Sequence, residues 1–278
     1  MSVHSGLRSP LRSYGPRCGR RTVRPISAPY RCSPEGSSTS ATGRRSTSKG
    51  PCRRATGSVA NRTSTGTSWT AAAPGGGRAV EVGCGLGLGC ALALEEYGPA
   101  AITGIDIHPQ QLQRAREANS PLLEAQPHRL RFVLGAAEDL PLGDAEFDCL
   151  YSVEAAQHFP DLSAFAREAA RVLRPGGRVA VTSFFSVGGA PESAERLAGL
   201  LDSFASGLDI ARPVSRLADA LTEAGFADVR VASIGPQVWP GWDRWLARLW
   251  EPGTWPRNFL AAWEQQILDY YLVTATRP

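Results

Sequence analysis

The chain has 278 residues, 42% of them hydrophobic, enough for one large core or for one domain with an appendage. No apolar run approaches the ~20 residues of a membrane-spanning helix, and the start lacks the compact apolar segment of a secretory signal. The net charge of +4 averages two unlike parts: residues 1–77 carry 13 Lys or Arg against one acid, Glu35, which leaves 17 basic and 25 acidic residues in 78–278.

Residues 1–77 are rich in Arg, Ser, Thr, Gly and Pro and nearly empty of Leu, Ile and Val after Leu11. Such a stretch buries too little apolar area to offset its ordering entropy, so a disordered basic leader is expected. Three origins stay open: a tail that touches nucleic acid or acidic surfaces, an organelle-targeting peptide, or sequence that is not native coding sequence. The six cysteines form no C-x-x-C pair and the four histidines are dispersed, so neither a disulfide framework nor a zinc site is expected.

From Arg78 strand and helix signals alternate. The first strand is Arg78–Val82, followed by a glycine turn at 83–89 and an apolar helical stretch with Leu92, Leu94 and Tyr97. Ala101–Ile107 is the second strand, and Pro109 opens a helix with Leu112, Ala115 and Asn119 on one face. Leu130–Leu134 and Phe147–Val153 are the third and fourth strands. Asp161 can cap a helix whose Leu162, Phe165, Ala169 and Leu173 recur at helical spacing, and Pro175-Gly176-Gly177 stops it. Arg178–Phe185 is the fifth strand; a helix at 213–224 and strands Ala227–Ile234 and Tyr270–Ala275 complete seven. The alternation implies an α/β sheet, parallel and covered on both faces, with ligands beyond the carboxyl ends of the strands.

The glycine turn, AVEVGCGLG at 79–87, is followed nineteen positions later by Asp106, at the end of the next strand. Glycines let a backbone approach a ligand, and a carboxylate there takes ribose hydroxyls, an arrangement suited to an adenosine-type cofactor. Ala136–Glu138 and Ser152–His158 also follow strand ends and should reach the same crevice.

The stretch from Arg78 to about Phe185 resembles the class I S-adenosylmethionine-dependent methyltransferases that act on small molecules. The matching blocks are EVGCGLG at 81–87, GIDIHPQQLQRA at 104–115, GAAEDLPL at 135–142, FDCLYSVEAAQHFPD at 147–161 and RVLRPGGRVAVTSFF at 171–185, in the family's order and spacing. The end, LDYYLVTATRP, resembles the family's closing antiparallel strand. The resemblance implies a Rossmann-like, doubly wound sheet of seven mostly parallel strands in one domain, 78–278, with helical lid insertions at about 186–212 and 236–266. It implies S-adenosyl-L-methionine as cofactor and S-adenosyl-L-homocysteine as product. Gly83, Gly85 and Gly87 would form the turn under the methionine and ribose. Glu81 would lie near the amino end, Asp106 would take both ribose hydroxyls, Ile107 would lie against the adenine, and Ala137 and Glu138 would lie near the adenine edge. Ser152 would line the floor beside the sulfonium, with Val153.

A hydroxyl or acidic-carbon acceptor needs a base, and His158 is the first candidate, Glu154 the second. Six of seven tryptophans lie between Trp239 and Trp263, which favours an apolar or aromatic metabolite as acceptor of O- or C-methylation, against ordinary packing as the plainer reading. A cytoplasmic enzyme with a small-molecule acceptor, no membrane and no nucleic acid is expected; a homo-oligomer is compatible with the sequence. The one lysine, Lys49, lies in the leader, which removes a short-chain dehydrogenase, a P-loop nucleotidase and a kinase. A nucleic-acid methyltransferase using the leader is the enzyme rival; the block after the fourth strand reads YSVEA rather than an Asn- or Asp-Pro-Pro-aromatic motif. A non-catalytic scaffold of the same fold is the other alternative.

Overall fold

The computed structural model describes residues 66–71 and 76–278. Expectations for residues 1–65 and 72–75 lie outside these described residues.

The sheet has seven strands in the order β3-β2-β1-β4-β5-β7-β6. They are β1 (Arg78–Val82), β2 (Ala101–Asp106), β3 (Leu130–Leu134), β4 (Phe147–Val153), β5 (Leu173–Ser186), β6 (Ala227–Ser233) and β7 (Leu268–Thr276). β7 runs antiparallel to both β5 and β6, and the remaining ladders are parallel. The chain moves outward from β1 to β2 and β3, then returns to put β4 on the other side of β1. The strand order therefore reverses between β1 and β4, and a crevice opens beyond their carboxyl ends.

Both faces of the central strands are buried. On one, Val80, Val82, Ile105, Leu150 and Val179 pack with α5 (Leu162–Val172) and α8 (Ser215–Glu223). On the other, Ala79, Ile102, Phe132 and Tyr151 pack with α2 (Leu88–Glu96) and α3 (Pro109–Ala118). This is why β1, β2 and β4 read as near-continuous apolar runs rather than alternating ones. Asp161 caps α5 as expected: its Oδ1 accepts from the amides of Ser163 at 2.8 Å and Ala164 at 2.9 Å. α4 (Ser120–Ala125) bridges to β3.

Two features depart from expectation. Pro175-Gly176-Gly177 does not precede the fifth strand but lies within β5; Leu173 pairs with Phe147, and the register then shifts before Arg178 pairs with Cys149. The amide of Gly176 donates to the carbonyl of Arg277 at 2.8 Å, so the glycines form a bulge beside the end of β7. Residues 66–71, assigned to the leader, form a short helix, α1. Its Trp69 is 3% exposed and meets Tyr151 edge-on at 5.6 Å, and the Ser68 hydroxyl lies 2.8 Å from that of Thr182. One large apolar residue in a Ser/Thr stretch gives no periodicity, so the sequence hid this anchor.

The tryptophans bear on the two readings of the insertions. The insertions form α6 (Pro191–Leu200) and α7 (Asp202–Ala205) after β5, and α9 (Gly235–Leu246) and α10 (Asn258–Glu264) before β7. They share an apolar cluster with Phe184 and Tyr270. Trp239 is 2% exposed, stacked on Phe259 at 5.6 Å and edge-on to Tyr270 at 5.5 Å. The plainer reading holds for Trp239: it is core.

Candidate active site

β1 ends in the glycine turn, which is tied to β2: the amides of Gly83 and Cys84 both donate to the Ile105 carbonyl at 2.8 Å. Gly83, Gly85 and Gly87 have φ of +78°, +51° and +65°. A Cβ would serve each differently. At Gly83 it would come within 2.3 Å of the Ala155 Cβ, and at Gly87 within 2.3 Å of the Phe132 ring. At Gly85 it would meet nothing within 4 Å. Gly83 and Gly87 therefore let the turn pack onto β4's exit and β3, and Gly85 borders open space.

Asp106 closes β2 and faces this turn. Its Oδ2 accepts from the Gly85 amide and its Oδ1 from the His108 amide, each at 2.9 Å. Each oxygen keeps a further lone pair. Around it stand apolar side chains that a soluble protein normally covers: Ile107 is 60% exposed, Leu134 at the end of β3 is 53% exposed, and Leu86 in the turn is also exposed. Ala137 is buried, and Glu138 Oε1 is buried without a hydrogen-bond partner. Open space beside Gly85, a carboxylate with spare acceptor capacity, an apolar ledge and an orphaned acceptor fit the ribose, base and exocyclic amine of a bound adenosine.

Glu81, by contrast, is 3% exposed and already engaged: Cys90 Sγ donates to its Oε2 at 2.9 Å and the Tyr151 hydroxyl at 3.1 Å. Burial pushes its pKa from 4.5 up to about 7, against the lowering effect of those hydrogen bonds. Ser152 does not line the cleft floor as expected. It is fully buried and its hydroxyl donates to the Val82 carbonyl at 2.8 Å, tying β4 to β1.

Beyond β4, Glu154 adopts φ +52°, a left-handed backbone uncommon for Glu, at the sheet edge where such outliers collect at functional sites. Its Oε1 accepts from the Tyr270 hydroxyl at 3.1 Å, and burial raises its pKa. Glu154 lines a cavity of about 20 Å³ with Phe184, Trp239, Trp242, Phe259 and Tyr270, room for little more than a water. The larger groove, about 390 Å³, lies by Arg167, Arg171, Phe226 and Arg277, at the opposite edge of the sheet from the strand carboxyl ends.

His158 ends a 3-10 turn, Ala156–His158. Its Nδ1 lies 2.9 Å from the Leu208 carbonyl and 3.1 Å from Asp209 Oδ1; its Nε2 lies 3.2 Å from Gln157 Nε2. Its side chain is 40% exposed. Sequence reasoning missed Asp209, Gln157 and Tyr270, which reach the site from the insertion after β5, the turn itself and β7. Among the described residues no group of three or more His, Cys, Asp or Glu is placed to hold a metal ion.

A family model described as "Methyltransferase domain" matches residues 80–181. The chain is 35% identical over 184 residues to erythromycin 3''-O-methyltransferase of Saccharopolyspora erythraea, a match covering 63% of this chain and 58% of that protein. It is 31% identical over 219 residues to 27-O-demethylrifamycin SV methyltransferase of Amycolatopsis mediterranei, covering 73% of this chain and 78% of that protein. Two solved structures share its fold at low identity. One is geranyl diphosphate C-methyltransferase from Streptomyces coelicolor A3(2) with S-adenosyl-L-homocysteine, with a TM-score of 0.67 at 16% identity over 78% of this chain and 79% of that one. The other is the [4+2]-cyclase SpnF, with a TM-score of 0.61 at 23% identity over 78% and 81%. The reversed sheet, the glycine turn facing a β2 carboxylate, and these relatives place the chain in the class I S-adenosylmethionine-dependent methyltransferase family.

Proposed function

We propose that the chain transfers the methyl group of S-adenosylmethionine to a hydroxyl oxygen of a small, largely aliphatic metabolite. The observation that carries this reading is the meeting of Asp106 with the Gly85 amide at the switch point, beside an exposed apolar ledge. Asp106 would take the ribose hydroxyls with its spare lone pairs, Ile107 and Leu134 would lie along the adenine, and Glu138 Oε1 would accept from the exocyclic amine. Gly85 gives close backbone approach, and Gly83 and Gly87 shape the turn. Glu81 would act through the turn, holding Cys90 of α2 and Tyr151 of β4 together.

Once bound, the sulfonium supplies both the electrophilic methyl and its leaving group, so transfer is an in-line displacement. The protein must align the acceptor, worth up to about 7–11 kcal/mol of barrier, and take its proton. His158 is assigned as proton acceptor, with buried Glu154 as second candidate. An aliphatic acceptor is favoured because the aromatic cluster is filled and the exposed apolar side chains flanking His158's partners are Leu208 and Ile210. The O-methyltransferase relatives point the same way.

Calorimetry on the full chain is expected to show S-adenosylmethionine binding, weakened at least about tenfold by Asp106→Ala, whose carboxylate makes charge-assisted hydrogen bonds; no heat with cofactor or demethylated product overturns the reading. Incubation of a metabolite extract with isotopically labelled cofactor is expected to yield a labelled methyl ether, whereas a rearranged but unlabelled product would indicate the chemistry of a cyclase on this fold. His158→Ala should lower turnover while cofactor affinity holds; full activity transfers the base role to Glu154, which Glu154→Gln then tests.

A further inference from the structure

The tautomer of His158 can be read from its neighbours. Gln157 Nε2 lies 2.9 Å from the Glu154 carbonyl, which can only accept, so that end of the amide is the NH2 group. Its Oε1 then accepts from the Ser183 hydroxyl. The same NH2 lies 3.2 Å from His158 Nε2, which must present its lone pair, so the ring proton sits on Nδ1. Nδ1–H points to the Leu208 carbonyl at 2.9 Å, and Asp209 Oδ1 lies 3.1 Å away.

Asp209 is 5% exposed, and its Oδ1 is buried without an aligned hydrogen bond. Its neighbours on either side, Leu208 and Ile210, are both exposed, so the carboxylate is the one side chain of this segment turned inward. The backbone holds it there. The Asp209 amide donates to the Ser203 carbonyl at 3.0 Å, the Ile210 amide to the Gln157 carbonyl at 3.1 Å, and the Arg212 guanidinium to the Phe159 carbonyl. A carboxylate that only tied the insertion down would spend its acceptors on backbone amides, as Asp161 and Asp106 do. Asp209 instead leaves a buried oxygen unspent beside an imidazole that borders the crevice.

We propose that Asp209 is the positioning residue of His158, its buried carboxylate lying beside Nδ1 and stabilising the imidazolium that forms when Nε2 takes the acceptor's proton. This rests on His158 as the proton acceptor. The acceptor hydroxyl displaces Gln157 from Nε2. As the oxygen–methyl bond forms, the methyl–sulfur bond breaks, its electrons leave on the thioether sulfur, and the hydroxyl proton passes to Nε2; the half-exposed ring then releases a proton to water. Through this period Nδ1–H stays on the Leu208 carbonyl, and Asp209 Oδ1, 3.1 Å from Nδ1, sets a negative charge against the ring's developing positive one.

The test is 15N NMR of the full chain labelled at histidine, with His158 identified by its loss in His158→Ala. The expected spectrum has a protonated Nδ1 and an unprotonated Nε2, and Asp209→Asn keeps that tautomer, because Gln157 and the Leu208 carbonyl set it. A wild-type ring protonated on Nε2 at neutral pH overturns the proposal, whatever any variant does. With the acceptor in hand, Asp209→Asn should lower kcat by about 10–100-fold, the cost typical of removing a partner that orients a functional histidine, with KM and cofactor affinity held. In the His158→Ala background it should cost nothing further. An unchanged kcat in folded Asp209→Asn, or fully additive losses in the double variant, rejects the assignment. Full activity of His158→Ala rejects the base itself, whereas an impaired His158→Ala beside an unimpaired Asp209→Asn rejects only the Asp209 role.

Discussion

Glu81→Gln isolates the electrostatic cost of the glycine turn's foundation. The carboxyl is buried, and its pKa rises from 4.5 to about 7, chiefly by desolvation. The fold therefore holds a proton that the unfolded chain has released. Between those two values the native state binds more protons than the unfolded one, so stability falls as pH rises. The penalty is absent below pH 4.5 and fully developed once pH passes about 7. At about 1.4 kcal/mol per pKa unit it amounts to roughly 3 kcal/mol at pH 8. Glutamine keeps an oxygen for the Cys90 thiol and the Tyr151 hydroxyl and removes the charge. Urea unfolding of the cofactor-free full chain at pH 5, 6, 7 and 8 should give wild-type and Gln variants of similar stability at the acid end. The variant should be more stable by roughly 3 kcal/mol at pH 8, with a flatter dependence between. Parallel curves, or a variant destabilised at every pH, would show that Glu81 is not carried protonated in the fold.

The glycines separate packing from ligand approach. Gly85→Ala should cost only the ~1–2 kcal/mol of a left-handed alanine yet weaken S-adenosylmethionine binding at least about tenfold, while Gly83→Ala adds a collision with Ala155 and should cost ~2–5 kcal/mol by thermal or urea unfolding. Equal stability losses would refute the distinction. Trp239→Ala should destabilise by about 3–5 kcal/mol, as removal of a buried, stacked indole does; a variant that keeps its stability and loses only acceptor KM would make this tryptophan a substrate contact. Trp69→Ala should also cost about 3–5 kcal/mol if α1 belongs to the packed domain, whereas a change within about 0.5 kcal/mol would return it to the leader.

What the sequence discloses follows the physics of each element. β1 and β4 are read to the residue because parallel strands buried on both faces are short apolar runs closed by turn residues; β3, the edge strand, is bounded by its apolar residues although Arg131 and Leu134 are exposed. α5 is legible twice over, from its spacing and from the Asp161 cap. α9 defeats the same rules. Its GPQVWPGWDRWL contains Pro240 inside the helix, followed by Gly241, a pair that reads as a turn. Burial of Val238 and Trp239 against Phe259 and Tyr270 overrides that local preference.

The candidate site divides along a related line. Gly85, Asp106, Ile107, Glu138, Glu154 and His158 follow strands whose order is itself legible, and the switch-point rule turns that order into proximity. Ser152 was misplaced because β4 is buried on both faces, so its sequence does not tell which side chains reach the cleft. Tyr270 and Asp209 come from segments whose approach no local spacing encodes: Tyr270 meets Glu154 across 116 positions, and the carbonyl before Asp209 meets His158 across 50. The first follows from the pairing of β7 with β5, which sets Tyr270 opposite Phe184, and the second from the insertion after β5, which differs from the sheet in what it requires of sequence. The sheet needs one reversed strand order and buried faces; the insertion needs only an apolar face towards α9 and α10, with Asp209 turned inward. In the proposed reading the cofactor side rests on the glycine turn and Asp106, whereas the orientation of His158, the proposed proton acceptor, is set by the insertion after β5. Exchanging residues 203–212 should accordingly change turnover and acceptor choice while leaving cofactor affinity in place.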